Sequence, residues 1–133
     1  MGYRTNYINS TTGLTCKTHL SDFTFLMPLR IDSEQRKENA DASISYIFKH
    51  FEAKFIVVEG DANRNYFPDF KSSDFHYEFL EDKNEFFHKT KYINRLIGLA
   101  DTQFIAVWDA DAIVSPEQVI VSVDVVRRGD AII

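Results

Sequence analysis

The sequence predicts an α/β fold with a mostly parallel sheet flanked by helices, and three observations carry that expectation. Short apolar runs that read as strands alternate with stretches of helical period. The runs are rich in Phe, Ile and Val and most lack polar alternation, as strands covered on both faces do. Each run ends in charged residues, the pattern of an open α/β sheet whose ligand lies beyond the carboxyl ends of its strands.

Met1 to Asp22 is rich in Thr, Ser and Asn, shows no clean period, and reads as a polar extension to a domain spanning residues 23–133. Phe23-Thr24-Phe25-Leu26-Met27 is the first buried strand, expected to stop at Pro28. Asp32, with Gln35 three residues on, gives a capping signal for a helix whose apolar positions are Ala40, Ile44, Ile47, Phe48 and Phe51. Phe55-Ile56-Val57-Val58 is the second strand and ends at Glu59-Gly60-Asp61. After a loop around Pro68, Phe75 to Leu80 alternates as a third, less buried strand. Ile93, Leu96, Ile97 and Ala100 mark a second helix, and Phe104 to Trp108 reads as a fully buried fourth strand. Ser115, Pro116 at the first helical position and Gln118 open a last helix, although Val119 to Val126 is strongly β-branched.

At 133 residues the chain is one domain by length, and 44% hydrophobic with 26% charged residues is the balance of a soluble globular domain. A formal net charge of -5 provides no basic footprint, so nucleic acid is not an expected partner. No apolar stretch approaches the roughly 20 residues that span a bilayer, and nothing resembles a signal peptide, so no transmembrane segment and a cytoplasmic setting are expected. Cys16 stands alone, which excludes a disulfide framework and a thiolate zinc site.

The densest chemistry is Trp108-Asp109-Ala110-Asp111, two carboxylates one residue apart where a strand leaves the sheet. Oxygen ligands of this kind suit Mg²⁺ or Mn²⁺; the plain alternative is a turn in which Asp caps the backbone. Arg30 and Asp32 follow the first strand, Glu59 and Asp61 the second, Glu81 and Asp82 the third. Strand ends meet water, which accounts for part of this charge, but not for carboxylates outnumbering bases on one rim. Such a rim repels itself unless a cation or a hydroxyl-rich ligand sits among the carboxylates, so a metal-bound nucleotide is a natural occupant. Pro28-Leu29-Arg30 stands where a Gly-rich phosphate loop would, which argues against the usual dinucleotide fingerprint.

Pro28-Leu29-Arg30, the acidic end of the second strand, Phe87-His88-Lys89-Thr90-Lys91-Tyr92-Ile93-Asn94 opening a helix, and Trp108-Asp109-Ala110-Asp111 together resemble family 2 glycosyltransferases with the GT-A fold. The match runs from about Phe23 to the end of the chain and rests on the order and spacing of these pieces. The resemblance implies the Rossmann-like, nucleotide-binding half of that fold and a nucleotide-sugar donor, often a UDP-sugar. It implies Asp109 near the ribose and diphosphate, and Asp111 as a direct ligand of Mn²⁺ or Mg²⁺ in the same metal site. Arg30 is then expected beside the nucleotide, Glu59 or Asp61 as acceptor from the base, and Asp82 near the base or ribose. Lys91 and Asn94, on the helix before the metal motif, are expected to face the donor. His88 reads equally as a surface residue at the helix start or as a donor contact, and Trp108 as core rather than as a sugar platform.

In that family the sugar passes with inversion to an acceptor hydroxyl of a carbohydrate or glycan, and the general base comes well after the metal motif. The expectation is therefore of the donor-binding part of a larger enzyme, with the base beyond Ile133. Apolar surface near Ile132, Ile133 and the helix from Pro116 would then favour self-association. Two other readings stand beside it: a nucleotide-binding module without turnover, and a Mg²⁺-dependent receiver-like or phosphatase-like α/β domain. The second needs a strand-end Lys after the acidic pair, and none follows Asp111.

Overall fold

A computed structural model describes residues 17–112 and 114–129; most of the polar lead and the apolar pair Ile132 and Ile133 lie outside the described residues. Strands β1 (Thr18–Leu29), β2 (Phe51–Asp61), β3 (Phe75–Glu81) and β4 (Phe104–Val107) form one sheet in the order β3-β2-β1-β4. All run parallel, in register Phe55↔Phe75 to Asp61↔Glu81 between β2 and β3 and Phe23↔Phe104 to Leu26↔Val107 between β1 and β4. Helices α1 (Glu34–His50) and α2 (Lys89–Leu99) join consecutive strands, and α3 (Pro116–Arg127) follows β4. His19–Ala112 is one compact unit holding the sheet, α1 and α2, while α3 belongs to a second. The protein thus has the Rossmann-like α/β architecture that the alternating runs predict. Among the described residues no helix is long and apolar enough to cross a membrane.

Strand alternation assigns α1 and α2 to opposite faces. Ile56, Val58 and Leu26 point one way and form a buried cluster with Tyr92 and Leu96 of α2. Phe25 and Phe55 point the other way and stack at 6.0 Å between ring centroids, with Phe48 of α1 packed 6.1 Å from Phe55. Parallel pairing covered on both faces is what makes Phe25 to Leu29 of β1 and Phe55 to Val58 of β2 continuous apolar runs.

Several boundaries differ from the sequence reading, each for a local reason. β1 begins at Thr18, within the stretch expected to be an extension, and continues through Pro28 to Leu29. The α1 cap is Ser33, whose hydroxyl accepts from the Arg36 N–H at 3.1 Å, while the expected cap, Asp32, accepts from the Arg36 side chain. Phe51 is not the last apolar position of α1 but the first residue of β2, stacked on Phe25 at 6.5 Å. On α2 the buried stripe is Tyr92 and Leu96 rather than Ile93 and Ile97; Ile97 is exposed. β4, expected to be fully buried, is an edge strand on which Ile105 and Val107 are 38% and 45% exposed, because among the described residues only β1 pairs with it. Trp108 continues the ladder, its N–H donating to the Leu26 carbonyl at 2.8 Å. The less buried third strand agrees with its alternation.

One glycine is fixed by packing. A Cβ on Gly60, near the end of β2, would overlap the ring of Tyr92, whereas Gly98 on α2 faces open space. Gly60→Ala is therefore expected to cost about 2 to 3 kcal/mol, and Gly98→Ala to be neutral or stabilising by up to about 1 kcal/mol. Urea denaturation of the two variants checks this; equal effects would contradict the assigned packing.

Candidate functional site

Parallel strands deliver their carboxyl ends to one rim, where a cleft of about 520 Å³ opens. Pro28, Leu29 and Arg30 come from the end of β1, Asp32 and Arg36 from the start of α1, Phe87 and Lys89 from the start of α2, and Asp109 to Ala112 from the turn after β4. The volume falls in the range of small-molecule sites.

Asp109 and Asp111 leave β4 through this turn, where the Ala112 N–H donates to the Asp109 carbonyl at 3.0 Å. Ser43 of α1 donates to the Ala110 carbonyl at 2.6 Å, a buried bond that ties the middle of the motif to the helix and leaves the carboxylates on either side free to face the cleft. Each carboxylate meets a base. Lys89 Nζ lies 2.6 Å from Asp109 Oδ1; Arg36 Nη1 lies 3.5 Å from Asp111 Oδ2, and Asn39 donates to Asp111 Oδ1 at 2.9 Å. Arg36 Nε also donates to Asp32 at 3.0 Å, which lowers the Asp32 pKa. The rim is therefore less acidic than the residues following the strands suggest, because its bases come from the first turns of α1 and α2.

Arg30 lines the cleft but its guanidinium is largely committed to the protein. Nε donates to the Gly60 carbonyl at 2.7 Å, Nη1 to the carbonyls of Asn84 and Glu85 at 3.0 and 3.2 Å, and Nη2 to the Tyr92 hydroxyl at 3.3 Å. Tyr92 in turn donates to Asp82 Oδ2. Asp82 is buried and also accepts from the Asn84 N–H at 2.9 Å, with Lys91 Nζ at 3.5 Å. The Tyr92 and Asn84 bonds, with the charge of Lys91, hold its carboxyl well below the usual range.

Glu59 is fully buried and accepts from the N–H groups of Asn65 and Tyr66 at 2.9 and 3.2 Å and from the Tyr77 hydroxyl. Burial and these carboxylate partners push the Tyr77 and Tyr66 hydroxyls up, so both remain donors, Tyr66 toward Asp41 at 2.6 Å. Asp61 accepts from the Ala62 N–H at 2.7 Å and from the Asn65 side chain at 3.3 Å. Of the residues singled out in the sequence, Arg30, Asp32, Asp109 and Asp111 meet in the cleft. Glu59, Asp61, Asp82 and Lys91 instead fasten the segments that follow β2 and β3, and exposed Asn94 lines neither group. His88 caps α2 without a side-chain cap bond, and Trp108 is core, edge-on to Phe25 at 5.6 Å.

Lys89, Arg36 and Asn39 were missed by the sequence reading. Lys91, expected to face the donor, reaches Asp82 instead: residues two apart in a helix diverge, and it is Lys89 that reaches the Asp109 side. Among the described residues no group of three or more His, Cys, Asp or Glu could by itself hold a metal ion. Comparison with family models, curated proteins and solved structures finds no match to this chain.

Tyr92→Phe removes the donor that most lowers the Asp82 pKa. A carboxyl with a lowered folded-state pKa stabilises above its unfolded value near pH 4 and loses that contribution as pH falls further. The variant is expected to be less stable than wild type at pH 7, with the gap narrowing below about pH 4. Denaturation curves between pH 2 and 7 measure it, and a gap independent of pH would contradict the assignment.

Proposed function

We propose that the cleft is the donor site of a GT-A-type glycosyltransferase, binding a nucleoside-diphosphate sugar together with a divalent cation. One observation carries the reading: Asp109 and Asp111 share a 520 Å³ cleft with Lys89 and Arg36, at the rim where a parallel α/β sheet binds its ligands. A diphosphate brings two or more negative charges, and the cleft offers both the cations and the hard oxygen ligands to meet them.

The donor set fits Mn²⁺ or Mg²⁺. These ions commonly take one or two protein carboxylates and complete their shells with phosphate oxygens and water, so two aspartates without a third protein ligand suffice. The pairs now engaging those carboxylates are solvent-exposed, and exposed ion pairs are worth only about 0 to 1 kcal/mol. When bound, the metal supplies Lewis-acid stabilisation to the departing diphosphate.

The remaining roles belong to the protein's own residues. Lys89 and Arg36 provide charge for the phosphates, and Arg30 keeps the wall between β1 and α2 rigid through its bonds to Gly60, Asn84, Glu85 and Tyr92. Phe87, stacked on Tyr92 at 5.1 Å, presents an apolar surface beside Lys89. The acceptor and the linkage follow from the resemblance alone: an acceptor hydroxyl on a carbohydrate, with inversion at the transferred sugar.

UDP should bind tightly only with Mn²⁺ present, because without it Asp32, Asp109 and Asp111 engage Arg36 and Lys89 and offset the positive charge those side chains would offer the diphosphate. Calorimetry with Mn²⁺ and then with EDTA checks this. Asp111→Asn is expected to weaken Mn²⁺-dependent binding about ten-fold or more, and Asp109→Asn by less. Equal UDP affinity with Mn²⁺ and EDTA would overturn the reading.

A further inference from the structure

Lys89 and Arg36 occupy positions that helix stability does not favour. Each sits in the first turn of its helix, where the aligned peptide dipoles disfavour positive charge; Glu34 offsets Arg36 in α1, but the first turn of α2 contains no acidic residue to offset Lys89 and Lys91. Each meets an exposed carboxylate from the turn after β4, Lys89 with Asp109 at 2.6 Å and Arg36 with Asp111 at 3.5 Å, while Arg36 Nε also holds Asp32 at 3.0 Å. The side chains are 46% and 37% exposed, so both pairs are hydrated and can come apart without stranding a buried charge. The asparagine on Asp111 is neutral and offers no competing charge.

We propose that Lys89 and Arg36 are exchangeable counterions: they hold Asp109 and Asp111 until a divalent ion takes the carboxylates, and then turn to the diphosphate. The inference rests on the donor-site reading above and adds an energetic link between its two ligands. A metal ion arriving alone must displace two cations, of which Lys89 gains nothing in return and Arg36 keeps only Asp32, so it binds weakly. A diphosphate arriving alone meets cations already engaged by aspartates. When both arrive, each charge finds a partner of opposite sign, so each ligand strengthens the other by the same factor. Lys89 suits the part because its flexible stem carries a compact charge that can swing between partners, and the helix N-termini that bear both residues favour phosphate once they turn.

The test measures Mn²⁺ binding without nucleotide, by electron paramagnetic resonance of the free ion, and UDP binding at saturating Mn²⁺. Lys89→Met should bind Mn²⁺ alone roughly five- to thirty-fold more tightly, since a positive charge beside the carboxylates is gone. The same variant should bind UDP about ten-fold more weakly at saturating Mn²⁺. Arg36→Met should shift both affinities in the same directions, and Lys89→Arg, which keeps the charge, should restore wild-type behaviour. A purely structural role for Lys89 would lower both affinities together. If wild type binds UDP with Mn²⁺ but Lys89→Met leaves Mn²⁺ affinity unchanged or lowered, the exchange is overturned and the donor site stands. If wild type binds no UDP at any Mn²⁺ concentration, the donor-site reading itself fails.

Discussion

The hydroxyl of Tyr92 is the point on which the geometry of the rim depends. It accepts from Arg30 at the end of β1 and donates to Asp82 after β3, and its ring lies over Gly60 at the end of β2. Three strand ends and the first turn of α2 are thereby fixed to one another. The arrangement needs a residue without a side chain at position 60, a buried carboxylate to accept and a guanidinium to donate, and the sequence supplies all three. Lys89 is one turn before Tyr92 on the same helix, so the position of a cation in the cleft follows from the position of this ring.

Much of the acidic rim proves to be internal carpentry. Glu59 and Asp61 hold the segment after β2 and Asp82 holds the segment after β3, each by accepting from backbone N–H groups. A loop crossing the end of a parallel sheet exposes N–H groups that no strand neighbour satisfies, and a carboxylate is an efficient acceptor for them. Asp109 and Asp111, like Asp32 beside them in the cleft, are met instead by the side chains of Lys89, Arg36 and Asn39. That contrast separates the acidic residues that build the rim from those open to a ligand.

The sheet was legible because its signals are local. Phe55 to Val58 and Phe23 to Met27 are apolar without alternation, as strands covered by helices on both faces must be, and the Asp109 and Asp111 pair announces itself by spacing. Exposure of β4 was not legible, since Phe104 to Val107 is as apolar as the central strands and an edge position depends on strand order. Lys89 and Arg36 were hidden for a similar reason: they reach the rim from helices, and only tertiary packing sets which face of α2 turns inward. Tyr92, the buried residue that sets it, carries a hydroxyl between Lys91 and Ile93, and nothing in its local pattern marks it as core.

The central claim is that a divalent ion and a nucleoside diphosphate meet at the turn after β4. Paramagnetic broadening by Mn²⁺ in the amide NMR spectrum of the labelled chain, recorded with UDP present, locates the ion directly. The account predicts selective loss of the Lys89, Ala110, Asp111 and Ala112 resonances, with those of Lys54 and Asp101 at the opposite end of the strands retained. Broadening centred on Glu81 and Asp82, or spread evenly over the surface, would contradict it.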